Sequence, residues 1–186
     1  MIAGKVSLWE RTNSYVIRNN DNMSVVKLGH TTRKRTGYAR FYNNTVNGNV
    51  TIGADKENDN WSLTVKDCTI NGRAENTIDT GLYLRCKINS ATEDNSSNTW
   101  NTSLGNGNFK DCSIANKTGD NMCVIYENCT FKNITGNIHG TFNIKNSTID
   151  NWNTSGGGYE PNYTFTNCKL NNFQINFGYW YQGASI

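Results

Sequence analysis

The chain has 186 residues and a formal net charge of +3, a length that suits one domain. Its 32 Asn, 21 Thr and 17 Gly residues are poor helix formers and exclude a helical bundle, while an aromatic share of 11% with little net charge is not typical of disorder. A pI near 8.5 from so small a charge gives little reason to expect nucleic acid as a partner.

Residues 1–37 differ in pattern from the rest of the chain. They contain an irregular first turn at Val16–Asn20 and the basic run Arg33, Lys34, Arg35, which we interpret as a solvated loop. The start of the chain lacks the apolar segment of a secretory signal, and no stretch is long enough to span a membrane. We expect no membrane insertion, and we assign residues 1–37 to an N-terminal extension, cap or attachment segment.

A short motif recurs seven times between residues 38 and 177. Its consensus is apolar, any residue, Asn or Asp, Cys, any residue, apolar, any residue, Asn or Gly. The fourth position is occupied by Asn44, Cys68, Cys86, Cys112, Cys129, Ser147 and Cys168, at intervals of 17 to 26 residues. A constant motif at variable spacing indicates a fixed structural rung joined by connections of different length.

Within a rung the apolar residues alternate, as they do in a β-strand. The alternation slips once, between Asp67 and Cys68, so we place a corner there and two short strands around it. The Asn or Gly position is predicted to end the second strand, because these residues tolerate left-handed backbone. Stacking such turns about 4.8 Å apart gives a parallel β-solenoid.

The stack predicts columns of equivalent side chains. The first inward column is Phe41, Val65, Tyr83, Phe109, Tyr126, Ile144 and Phe165. The second inward column is Val46, Ile70, Ile88, Ile114, Phe131, Ile149 and Leu170. The outward column is Thr45, Thr69, Lys87, Ser113, Thr130, Thr148 and Lys169. An amide ladder is expected at Asn116, Asn133, Asn151 and Asn172, and alternating charges at Lys110, Glu127 and Lys145.

The six cysteines have two readings. Buried free thiols in the corner column are the favoured one, and disulfides between neighbouring turns are the other. There is no CxxC pair and no Cys/His cluster at zinc spacing, so we expect no metal site. A nucleophilic cysteine would need a nearby histidine, and no motif places His139 beside one.

On these motifs the chain resembles the right-handed parallel β-helix superfamily of pectate lyases and phage tailspikes. The resemblance rests on the stacked Asn turns and the apolar-x-Asn-Cys-x-apolar rung, over residues 38–177. It implies an all-β, right-handed parallel β-helix of about seven rungs, followed by an aromatic cap that includes the tail, residues 178–186. This fold hosts lyases, hydrolases and adhesins, so the resemblance leaves the function open.

Three long gaps are predicted to be loops that project from one side: Gly53–Trp61, Asn89–Gly107 and Trp152–Glu160. Their aromatic residues are candidate glycan contacts, because sugar rings stack on aromatic faces. The alternative is that they pack the loops onto the body. The candidates are Trp61, Trp100, Trp152 and Tyr159.

Catalytic residues are not identified by any pattern. Glycoside hydrolysis needs two carboxylates at suitable separation, for which Asp67 and Asp111 around Arg85 are one possibility. A structural charge ladder of these three residues is the favoured interpretation. Further acids on adjacent turns are Glu75, Asp79, Glu93 and Asp94.

Our leading hypothesis is a phage virion protein: a tail-fibre, head-fibre or tailspike module that attaches to host-surface polysaccharide. The resemblance to phage fibres implies a homotrimer that contacts other virion proteins. From the residues we expect no cofactor and no metal. The alternative is a polysaccharide-degrading enzyme of the same fold, either a lyase or a glycoside hydrolase. A third hypothesis is a fragment of a non-viral surface adhesin.

Overall fold

The structure is a computed structural model that describes residues 3–9, 14–29, 36–53, 60–76, 81–93, 108–119, 121–156 and 162–177. No helix in these ranges is long and apolar enough to cross a membrane. The strands, in chain order, are β1 (Ala3–Trp9), β2 (Ser14–Gly29), β3 (Thr36–Val46), β4 (Val50–Gly53), β5 (Asn60–Lys66), β6 (Thr69–Asn76), β7 (Gly81–Leu84), β8 (Lys87–Glu93), β9 (Asn108–Lys110), β10 (Ser113–Gly119), β11 (Asn121–Glu127), β12 (Thr130–Lys145), β13 (Thr148–Gly156), β14 (Asn162–Thr166) and β15 (Lys169–Phe177).

All strand pairs among the described residues are parallel, and they form one continuous stack. The prediction of an all-β parallel β-solenoid is therefore confirmed. The stack includes β1 and β2, which precede residue 38, because β1 pairs with the second half of β2 and the first half of β2 pairs with β3. It extends to the end of β15 at Phe177, and the predicted tail 178–186 lies outside the described residues.

The corner of each turn has left-handed backbone at one residue. In the described part of the chain these residues have φ values between 50° and 59° and are Asn19, Asn43, Asp67, Arg85, Asp111, Asn128, Asn146 and Asn167. Asn and Asp tolerate this conformation better than other side-chain-bearing residues, and Arg85 is the exception. Each precedes a residue of the corner column, so the predicted corner between Asp67 and Cys68 is confirmed, and Asn20 adds one further position upstream.

The prediction for the Asn or Gly position is wrong. The strand ends there only in the turn of Gly48, where β3 ends at Val46 and β4 begins at Val50; in the other described turns it continues, for example in β13. Gly48, Gly72 and Asn133 are not among the described residues with positive φ. The need for glycine here is steric. A Cβ atom on Gly72 would overlap the backbone carbonyl of Gly48, and a Cβ atom on Gly48 would overlap that of Ser24.

The predicted inward columns are confirmed by strand register. Phe109, for example, pairs with Tyr83 on one side and Tyr126 on the other, and all three are buried. Their rings stack in sequence: Tyr83 and Phe109 are nearly parallel at a centroid distance of 4.8 Å, and Phe109 meets Tyr126 edge-on at 5.7 Å. This aromatic file is the centre of the hydrophobic core.

Register also reveals a third column, which the sequence did not predict. It lies after the second bend and consists of Val6, Val26, Val50, Ala74, Ala91, Lys117, Ile134, Trp152 and Phe173. Every member except Phe173 is buried, so each turn contributes at least three side chains to the interior.

The predicted amide ladder is present along the second bend. Asn133 donates to Asn116 Oδ1 at 2.8 Å, Asn151 donates to Asn133 Oδ1 at 3.0 Å, and Asn172 donates to Asn151 Oδ1 at 2.8 Å. These hydrogen bonds run along the stack, so they fix the register of one turn against the next.

We expect Asn133→Ala to lower the free energy of unfolding by about 1–3 kcal/mol, because it removes two half-buried hydrogen bonds, each contributing about 1 kcal/mol. Urea denaturation monitored by circular dichroism measures the effect. The matched control is Asn172→Ala at the exposed end of the ladder, which removes one bond and is expected to lower the free energy by about 1 kcal/mol or less. An equal decrease in the free energy of unfolding of the two variants would contradict a stabilising role of the ladder.

Candidate functional site

The variable connections leave the stack from one edge. The second strands of successive turns end opposite one another, as Gly29 is opposite Gly53, Asn76 opposite Glu93, and Glu93 opposite Gly119. We call these stacked strand ends the loop edge. The segments that follow them in the chain lie outside the described residues: 30–35, 54–59, 77–80, 94–107 and 120.

Two of the four candidate glycan contacts, Trp100 and Tyr159, belong to connections between strands. The assignment of Trp61 to a projecting loop is wrong, because β5 begins at Asn60. Trp61 is the second residue of β5, where it pairs with Gly37, and its side chain lies outside the described part of the structure. Trp100 and Tyr159 lie in connecting segments outside the described residues. The basic run Arg33–Arg35 lies in such a segment too.

Trp152 is a core residue and lies in β13, so its assignment to a projecting loop is wrong. Its side chain is buried, packs edge-on against Phe165 at 5.7 Å, and contacts Phe173 at the same distance. The indole Nε1 donates to Thr154 Oγ1 at 2.8 Å, which satisfies its polar group inside the core. Since no ring face reaches the surface, Trp152 leaves the set of candidate glycan contacts.

The described part of the second gap is also strand. β8 continues to Glu93, so residues 89–93 are part of the stack and the connection begins after them. Two acids, Glu75 and Glu93, lie close to the loop edge. Glu75 pairs with Thr92, and Glu93 pairs with Asn76. Their side chains, together with Asp79 and Asp94, lie outside the described structure.

Lys117 is a buried charged residue near the loop edge that the sequence did not predict. It is buried in the third column, between Ala91 and Ile134 in register, and it lies two residues before the loop edge at Gly119. Burial of a lysine is uncommon, because the ammonium group loses its hydration. The only signal in the sequence was its place three residues after the buried Ile114.

The favoured charge ladder is confirmed for Asp67 and Arg85, whereas its third member, Asp111, is bonded to an amide. The Arg85 guanidinium donates to both oxygens of Asp67, at 2.7 and 2.9 Å, and Asp111 accepts from Asn128 Nδ2 at 2.9 Å. The hydrogen bonds from Arg85 hold the pKa of the Asp67 carboxyl below its usual value. Asp67 therefore favours its ionised form in the ion pair, whereas a general acid must carry a proton to donate.

A second predicted charge pair lies on the same face. Lys110 and Glu127 occupy equivalent outward positions, and Lys110 Nζ is 3.2 Å from Glu127 Oε2. Glu127 is also opposite Lys145 in the next turn, which confirms the predicted alternation of sign.

The corner cysteines are free thiols, as favoured. Cys68, Cys86, Cys112 and Cys129 are buried and Cys168 is half-buried; the side chain of Cys123 lies outside the described structure. Each described thiol is close to two carbonyl oxygens, and Cys112 Sγ is 3.3 Å from that of Tyr83 and 3.1 Å from that of Lys110. Contact with the Cys112 thiol, together with burial, raises the pKa values of Cys86 and Cys129. A neutral buried thiol such as that of Cys86 or Cys129 is a packing residue and a poor nucleophile.

Among the described residues, no three His, Cys, Asp or Glu side chains are grouped so that they could hold a metal ion. Compared with protein-family models, with curated proteins and with solved structures, the chain has no match. The assignment of a parallel β-solenoid rests on the strand pairs described above.

Proposed function

We propose that the chain is a virion-associated module of a phage fibre or spike, which attaches to polysaccharide on the host surface. The observation that carries this proposal is the loop edge. A stack of bonded turns holds its strand ends in one line, and connections of very different length begin there. This construction separates a constant supporting body from variable segments that are suited to recognition.

The stack itself supports a mechanical role. Its corner residues bond to the preceding turn: Asn44 Nδ2 donates to the carbonyl of Ile17, and Ser147 Oγ accepts from the backbone of Cys129 at 3.0 Å. These bonds satisfy buried polar groups of the corner column and fix each turn on the one before it.

The proposal includes assembly into a homotrimer and contact with other virion proteins. The last described turn supports it, since Phe173 is 37% exposed beside the partly buried Leu170 and Ile175. An apolar end of this kind favours contact with further protein.

Attachment is tested with a panel of bacterial capsular and O-antigen polysaccharides. Binding by biolayer interferometry and release of new reducing or unsaturated ends are measured on the same samples. We expect at least one polysaccharide to bind without cleavage. Trp100→Ala and Tyr159→Ala are expected to weaken that binding at unchanged melting temperature, whereas Trp152→Ala lowers the melting temperature because it empties part of the core.

The outcomes separate the hypotheses. New reducing or unsaturated ends on the polysaccharide would overturn the attachment hypothesis and support the alternative, a polysaccharide-degrading enzyme. Absence of binding across the panel, with correctly folded protein, would overturn the proposed function. Light scattering of the same preparation tests the trimer independently.

A further inference from the structure

An aromatic and basic row lies on the outer face of β3. The buried residues Ala39 and Phe41 alternate with Tyr38, Arg40 and Tyr42, which therefore point outward. Arg40 is exposed and both tyrosines are half-buried, so the rings present part of their surface to solvent.

The preceding turn completes this row. Arg18 is exposed on β2 and lies directly opposite Tyr42 in the parallel register, while Val16 lies opposite Arg40. Neighbouring strands are about 4.8 Å apart, so Tyr42 lies beside Arg18 of the preceding turn. Arg40 is two residues away from Tyr42 on the same strand.

Both guanidinium groups are available to an anion. Neither Arg18 nor Arg40 forms an ion pair with a carboxylate of the described residues, in contrast to Arg85, which is held by Asp67. The Arg40 guanidinium lies 4.4 Å from the centroid of the Tyr38 ring. This cation–π contact orients the guanidinium and leaves N–H groups at its edge for bidentate bonds.

A pair of amides borders the row at the corner. Asn43 Nδ2 donates to Asn19 Oδ1 at 3.0 Å, and both side chains are exposed. The bond uses one donor and one acceptor, so the Asn19 amide N–H groups and the Asn43 Oδ1 atom remain to bind hydroxyl groups.

We infer that this Tyr–Arg patch, formed by Arg18, Tyr38, Arg40 and Tyr42 with the Asn19–Asn43 pair, binds a carboxylated sugar of an acidic polysaccharide. The guanidinium groups bind the carboxylate, an exposed tyrosine face stacks on the sugar ring, and the amides bind its hydroxyls. The inference rests on the proposed attachment function and names the class of glycan.

Charge favours an acidic glycan over nucleic acid. A polynucleotide presents a dense line of phosphates and is bound by long stripes of cations. The patch offers two guanidinium groups among tyrosines and amides, on a chain with a net charge of only +3. This composition suits sparse carboxylates separated by hydroxyl-rich rings.

The test uses the full chain with polygalacturonate, hyaluronan and polysialic acid, each beside its carboxyl-reduced form. We expect at least one intact polymer to bind about tenfold or more tightly than its reduced form, and Arg18→Ala with Arg40→Ala to remove most of that difference. The conservative pair Arg18→Lys and Arg40→Lys retains charge but loses the bidentate geometry, so an intermediate affinity is expected.

The matched control is Lys87→Ala with Lys169→Ala, which removes two exposed cations from the outward column beyond the corner and should leave binding within about twofold of the original. Equal weakening by the control pair, or equal binding of intact and reduced polymers, would overturn the inference. So would arginine-dependent binding of a single-stranded oligonucleotide in place of the polysaccharides. If the bacterial panel is bound in the attachment assay while these results fail, the proposed function stands and the patch does not.

Discussion

Phe109→Ala is expected to lower the free energy of unfolding by about 3–5 kcal/mol, because large-to-small substitutions in a packed core lose both burial and contact energy. Phe109 is 2% exposed and contacts rings on three sides: Tyr83 at 4.8 Å, Tyr126 at 5.7 Å and Phe131 at 6.4 Å between centroids. The turns on both sides have fixed strand register, so they cannot easily close the cavity.

Urea titration gives the size of this effect. Phe173→Ala is the matched control, since Phe173 is 37% exposed at the last described turn and its loss should cost less than half as much. Phe109→Leu keeps most of the volume and is expected to cost about 1–1.5 kcal/mol. A Phe109→Ala variant within about 1 kcal/mol of the original protein would mean that the aromatic file is not the main source of stability.

Gly72→Ala is expected to destabilise the protein by about 1–3 kcal/mol although it adds only one methyl group. The new Cβ atom would overlap the backbone carbonyl of Gly48 and lie 2.7 Å from Asn49 Oδ1. That same oxygen accepts the backbone N–H of Arg73 at 2.9 Å, so relief of the overlap also strains a hydrogen bond. A backbone obstacle cannot rotate away as a side chain can.

The control for Gly72 is Ser90→Ala at the same bend of the next turn. The register shift between Ile70 and Arg73 shows that β8 has one residue fewer than β6 at this bend, and Ser90 already carries a Cβ atom there. We expect a change within about 0.5 kcal/mol there. Thermal melts of both variants test the comparison, and a loss in Ser90→Ala as large as in Gly72→Ala would remove the steric explanation.

The two columns flanking the corner could be predicted because the motif has constant spacing there. Alternation with one slip at the corner specifies which side chains point inward, for example Val65 and Ile70. The third column could not be predicted, because its offset varies: Ala74 lies four positions after Ile70, but Ala91 lies three positions after Ile88. A single sequence period therefore cannot align the residues of the third column from turn to turn.

The first turn was expected at Val16–Asn20, but it was not included in the repeat, for a similar reason. Asn20 replaces the usual cysteine, and the register shifts between Asn20 and Met23, so the apolar residue comes one position late. Trp152 was assigned to a loop because Gly156 and the following glycines resemble one, whereas the strand continues to Gly156. The Tyr–Arg patch depends on which residues of different turns meet, and that register becomes available only from the structure.

The hydrogen bonds of the ladders have an energetic consequence for the whole molecule. They connect residues 17 to 25 positions apart, each to the turn immediately before or after it. Cooperativity in such an array passes only between adjacent units, so its thermodynamics resemble those of a linear chain of coupled sites. A lesion in a middle turn divides the molecule into two shorter segments of lower stability, whereas fraying at either terminus leaves the remainder intact.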